Sequence, residues 1–252
     1  MPSFRRAFSW LLAVSLFPLA GSTCAPRSAP ASSAPVAGES AVQMAEMEHA
    51  THDMSSHHME MGLHMRMTAL RPASAEDKKR ADEIVATLRE ALRPYKDFRA
   101  AERDGYQIFL PNVPQKMYHF TNWGYGWQAA FRFNPARPTS LLYEKTADGY
   151  RLIGAMYTAG KNASEEELDR RVPLSVAQWH VHVNICMAPK GREAEMLELG
   201  ARFGLRGSIA TEGECSAAAG RWVPQLFGWM VHVYPFEKNP AQIWSVERQM
   251  GD

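Results

Sequence analysis

Cysteine is scarce in this chain: three of 252 residues, too few for a disulfide-dense scaffold. An excess of one charge is missing as well. Lys and Arg number 28 against 27 Asp and Glu, a net of +1, and no basic stripe offers phosphate contacts to a nucleic acid. Beyond the first two dozen residues there is no second export or membrane segment, because no other apolar run approaches the length of a span. The nucleophile elbow G-x-S-x-G, the phosphate-binding loop and the zinc helix H-E-x-x-H are all absent. What is present is 46% hydrophobic and 10% aromatic residues, enough for a sizeable core in one large domain or two small ones.

Residues 1–24 read as an export signal. Arg5 and Arg6 give the positive start, Phe8 to Ala20 is apolar but too short to span a bilayer, and Ala20, Gly21, Ser22 and Thr23 lead to Cys24. Arg5-Arg6-Ala7-Phe8 loosely resembles a twin-arginine signal, and Cys24 follows a degraded lipobox. Two fates of Cys24 stay open, lipidation to form a membrane tether or loss with the signal. The expected location is periplasmic or envelope-attached. Without the signal, 26 basic residues face 27 acidic ones, a net of −1. Cys186 and Cys215 then remain, an even pair in an oxidising space. Their disulfide would close a loop of about 30 residues, worth ~3 kcal/mol in the chain-entropy view. The alternative use of either is as a thiolate metal ligand.

Residues 25–42 are mainly Ala, Pro and Ser, the composition of a disordered tether. A tract at 44–67 follows that carries Met44, Met47, Met54, Met59, Met61, Met65 and Met67 with His49, His52, His57, His58 and His64. Thioether sulfur is soft and prefers Cu(I), while imidazole accepts Cu(II), zinc or nickel. Such donors need no fold to gather ions, and Glu46, Glu48, Asp53 and Glu60 attract cations. The tract is similar to the Met/His-rich segments of periplasmic copper-resistance proteins. It is read as a metal-capture arm, with a low-complexity linker as the plainer reading.

A folded domain is expected over 74–252. Ser74 and Asp77 form a capping box ahead of Ala81, Ile84, Val85, Leu88 and Leu92, an amphipathic spacing. Pro94 breaks that helix, and Tyr95, Phe98 and Ala101 continue an apolar face to Gly105. Short strands are predicted at 106–110, 117–120, 128–133, 140–145, 150–158, 177–186 and 228–236, with 140–158 a hairpin turning at Asp148-Gly149. Helices are predicted at 164–171 and 193–203. The class is α+β: a single domain with an antiparallel sheet packed by an N-terminal helix pair and short inserted helices.

The folded half resembles a family of exported bacterial proteins of uncharacterised function over roughly residues 95–236. The pieces that carry the likeness are Ala101-Glu102-Arg103-Asp104-Gly105-Tyr106, Met117-Tyr118-His119-Phe120, Phe133-Asn134-Pro135 through Leu141-Leu142-Tyr143-Glu144, and Trp179-His180-Val181-His182. The resemblance implies one domain outside the cytoplasm and brings no activity with it.

All four histidines of the domain fall in strand-like segments: His119, His180, His182 and His232. Alternation puts Gln178, His180, His182 and Asn184 on one face and Trp179, Val181, Val183 and Ile185 on the other. With Glu144, the four imidazoles form a candidate ligand set for copper, or for zinc or another first-row metal. The plain reading is a set of structural histidines partnered by Tyr118, Tyr143, Tyr157 or Tyr234. A third reading is a metal-free pocket walled by Trp123, Trp127, Trp179, Trp222, Trp229 and Trp244. The function expected first is therefore extracytoplasmic metal binding. Its alternatives are a metal-dependent enzyme using Glu144 as ligand or general base, and a non-catalytic envelope module that binds a ligand or partner. No nucleic-acid partner is expected, and no protein partner is indicated.

Overall fold

Helix α1 (Ala75–Ala91) starts where its sequence says it should. The Ser74 hydroxyl accepts from the Asp77 amide and the Asp77 carboxylate accepts from the Ser74 amide, which satisfies two of the donors every helix start exposes. Ala81, Ile84, Val85 and Leu88 line its buried stripe. Arg93–Lys96 forms a 3-10 turn around Pro94, and α2 (Phe98–Arg103) ends as Gly105 takes φ +86°.

The computed structural model describes residues 59–60, 62–112, 114–198, 200–245 and 248. All lie in one compact unit within His52–Asp252. Eight strands form a single antiparallel sheet: β1 (Met59–Glu60), β2 (Met65–Met67), β3 (Gln107–Ile108), β4 (Tyr118–Thr121), β5 (Ser140–Thr146), β6 (Gly149–Thr158), β7 (His180–Met187) and β8 (Arg221–Val233). Their order across the sheet is β1-β2-β7-β8-β6-β5-β4-β3. The α+β class and the expected 140–158 hairpin are therefore present. One face of the sheet packs under α1, α2 and α4 (Glu165–Arg171) in the main core, with Leu88, Leu92, Phe120, Tyr143, Leu168, Trp179 and Val231 among its buried residues.

Strand β8 is the hinge of the topology. Its first part pairs with β7 and its last part, Met230–Val233, pairs with β6. Between these parts the register against β7 slips: His180 faces Met230, but His182 faces Leu226. The extra residues form a bulge in which Phe227 adopts φ +62° and Gly228 lies against Ala159. Bulges of this kind bend a strand and re-aim its side chains.

Several boundaries differ from the sequence expectation. The sheet begins before residue 74, since β1 and β2 come from the tract read as an arm and Met67 is fully buried. Residues 128–133 are not a strand. Asn122 caps a helix instead, accepting from the Tyr125 amide, and α3 (Trp123–Ala129) occupies the first part of that stretch. The helix expected at 193–203 is reduced to a 3-10 turn, Glu193–Met196, because Gly200 and Gly204 take φ +72° and +84°. The loop beyond contains α5 (Glu212–Ala217), and α6 (Pro240–Ile243) closes the described chain.

Cys186 and Cys215 are joined as a disulfide, as their parity predicts. With Phe203 and Ile209 they make a small core separate from the main one. Reduction is expected to lower stability by ~2–4 kcal/mol, read as a fall in Tm under reductant. An unchanged Tm would show that this small core holds the loop without the bond.

Candidate functional site

Alternation along β7 and β8 divides their side chains cleanly. Trp179, Val181, Trp229, Val231 and Val233 point into the main core. His180, His182, Met230 and His232 take the opposite face of the sheet. The cross-strand rows on that face read Met67–His180–Met230 across β2, β7 and β8, and Met156–His232 across β6 and β8. His119 on β4 is opposite Leu142 on β5, which is in turn opposite Gly154 on β6.

In a flat sheet β4 and β8 would stand about 14 Å apart, three steps of ~4.8 Å. Yet Nε2 of His119 lies 3.4 Å from Nε2 of His232. The two rings reach toward one another over the intervening strands. Gly154 permits a close approach of β6 and β8 between them: a Cβ there would meet the Val233 carbonyl oxygen at 2.4 Å and the Tyr234 ring at 3.0 Å. The imidazoles then form a chain of ring contacts, with centroids 5.3 Å apart for His119 and His232, 5.2 Å for His180 and His232, and 5.6 Å for His180 and His182. His180 and His232 are 1% and 3% exposed; His119 and His182 are half-buried.

Burial sets the charge state. Loss of hydration pushes His119 down to about 4, with the nearby His182 charge adding to the effect and a hydrogen bond to the Met117 backbone opposing it. His232 is held well below the usual histidine range, chiefly by burial and then by His180, His119 and His182. His182 is lowered by burial first, although its bond to the His64 backbone works the other way. These three rings are therefore neutral at neutral pH, the form that donates a lone pair to a metal. Nε2 of His119 faces Nε2 of His232, and which of the two nitrogens carries the proton depends on the tautomers of the rings.

The sign of the pH dependence follows. The unfolded chain takes up protons near pH 6.5, while the folded rings resist them. Stability of the metal-free chain is expected to be level above pH 7, to fall as pH drops through about 6.5, and to lose the His119 share completely below about 4. Urea midpoints measured from pH 8 to 4.5 check this, and a level midpoint down to pH 5 would contradict the burial of these rings.

Glu144 does not join the histidines. It is opposite Arg151 in the β5–β6 register, and the two form an ion pair at the exposed side of the hairpin. Neither domain cysteine is a thiolate, since each is in the disulfide. The tryptophans wall no common pocket: Trp179 and Trp229 are in the core, and Trp123 and Trp127 are exposed. Residues 1–58, with Cys24, His49, His52, Met54, His57 and His58, lie outside the described residues, as does Met61; Met59 falls in β1.

Sequence reasoning missed the role of the tract's end. His64 is buried, and its Nε2 is 2.5 Å from the Gly207 carbonyl oxygen. Met65 faces His182 and Met67 faces His180. The alternation Met65-Arg66-Met67 was a strand signal, with Arg66 turned to stack on Trp229 in the other direction. Also unforeseen were Met156 and Met230, which share the histidine face.

No family model, curated protein or solved structure matches the chain. The site is thus read from its own chemistry. Two nitrogens held by one tetrahedral ion at ~2.05 Å lie about 3.3 Å apart, close to the His119–His232 separation. An N–H···N hydrogen bond between two neutral rings fits the same distance. As placed, the convergence is pairwise: among the described residues no group of three or more His, Cys, Asp or Glu side chains is arranged to hold an ion.

Proposed function

We propose that this is an exported metal-binding protein that handles copper. Its domain holds an ion between His119 and His232, with His180 and His182 completing the coordination, and its Met/His tract gathers ions for it. The observation that carries this reading is the 3.4 Å approach of two neutral imidazole nitrogens on a buried sheet face, with two more rings in contact. A disulfide between the domain's two cysteines accords with an oxidising location. On this reading residues 1–24 direct export and Cys24, where retained, tethers the chain to the membrane.

Titrating Cu(I) and Cu(II) into the full chain and into a chain lacking residues 44–58 tests both halves. The deletion stops at 58 because residues 59–67 supply β1 and β2. The full chain is expected to bind several ions and the deleted chain to keep the tightest one. Loss of the tightest site on deletion would assign it to the tract instead. Unchanged stoichiometry would remove the tract from metal capture.

A further inference from the structure

The histidine face is also a methionine face. Met67 and Met230 sit directly across from His180 on either side, and Met156 sits directly across from His232. Directly opposite side chains in an antiparallel pair have Cβ atoms only about 5 Å apart. All three methionines are buried, at 0%, 6% and 7% exposure. Met156 and Met230 pack with Met117, Leu142 and Tyr234 in a cluster separate from the main core. The Met117 sulfur is engaged by the Tyr234 hydroxyl at 3.8 Å.

Anionic donors are missing from the same rows. They run Met67–His180–Met230–Thr158 and Thr121–Ser140–Met156–His232, with no Asp or Glu in either. Glu144 is taken by Arg151 and both cysteines by the disulfide. The side-chain donors on these two rows are therefore all uncharged thioethers, hydroxyls and imidazoles. The cost of burying an ion rises with the square of its charge, so a divalent ion among neutral ligands costs about four times as much as a monovalent one. Thioether sulfur also favours a soft ion over zinc or Cu(II).

We infer that the ion held on this face is a soft monovalent one of the Cu(I) and Ag(I) class, and that thioethers from among Met67, Met156 and Met230 share its ligand positions, about four at most, with the histidines. This rests on the metal-binding reading above and narrows it. Methionine is then the selectivity element: imidazoles alone would accept zinc, and the thioethers tilt the site toward a d10 monovalent ion.

The test uses the full chain carrying 13C-labelled methionine methyl groups and labelled histidine rings, with each buried methyl assigned from its Met→Leu variant. Leucine is a volume-conserving replacement in a core. The first equivalent of Ag(I) is expected to move methyl signals from among Met67, Met156 and Met230 together with the ring signals of His180 and His232. The M156L/M230L variant is expected to lose roughly 100-fold in the ratio of Ag(I) to Zn(II) affinity. Movement of the four domain histidines without any buried methionine would overturn the thioether assignment and leave the histidine site standing. Movement of neither, with Ag(I) confined to the methionines before residue 62, would overturn both.

Discussion

Glutamine in place of both His119 and His232 is expected to lower the affinity of the domain for its ion by two orders of magnitude or more, roughly the loss of two ligands. Each imidazole points its Nε2 at the other, 3.4 Å away, so neither variant alone leaves the pair intact. Glutamine retains a polar end in a buried setting, which limits the cost of an unpartnered neighbour. The measurement is competition of the full chain against a chelator of known affinity, before and after substitution, with Tm recorded for each variant. A double-mutant cycle adds a second reading. If the two rings share an ion, the single losses will exceed what independent sites predict and the double loss will be far from additive. Additive small losses would mean that the two rings only hydrogen-bond to each other.

Alanine at Gly228 is expected to destabilise the domain by ~3 kcal/mol or more, the scale of forced overpacking against backbone. A Cβ there would lie 1.9 Å from the Ala159 carbonyl oxygen, a backbone atom with no flexible side chain to yield. The same contact is part of the ladder, because the Ala159 amide donates to the Trp229 carbonyl at 2.8 Å. The consequence reaches the site. Gly228 belongs to the bulge after which β8 takes up β6 while Met230 still faces His180 on β7, and that register sets His232 opposite Met156. The variant should therefore lose metal affinity as well as stability. Urea unfolding and the chelator competition read the two effects separately. A Gly228→Ala chain with unaltered midpoint would contradict the close approach.

Much of the fold was legible from local chemistry. The capping box of Ser74 and Asp77, the stripe from Ala81 to Leu88, the 140–158 hairpin and the pairing of Cys186 with Cys215 each depend on residues whose physical role is decided close by in sequence. The histidine strands were legible in the same way, since alternation alone assigns His180 and His182 to one face. Long-range features were not. Nothing in the sequence near His119 announces that its ring will meet that of His232 across two intervening strands, because that meeting depends on the register of β4, β5, β6 and β8 and on the open backbone at Gly154.

The end of the Met/His tract was misjudged for a related reason. Its composition marked it as unstructured, but Met65-Arg66-Met67 finds an edge on β7 and buries a methionine there. Composition describes what a segment can bury alone, and an edge strand is stabilised by its neighbour. Residues 128–133 failed differently: their apolar alternation suggested a strand, while the Asn122 cap had already started a helix, and its Trp127 and the Phe131 just beyond it face solvent. Glu144 looked available because its partner, Arg151, lies across a hairpin rather than beside it in sequence.

The most direct measurement is the position of the ion itself. Crystals of the full chain loaded with one equivalent of Ag(I) or Cu(I) should give an anomalous peak about 2.0–2.3 Å from Nε2 of both His119 and His232. A peak located only at other residues, with these two rings still 3.4 Å apart and hydrogen-bonded to each other, would contradict the shared site.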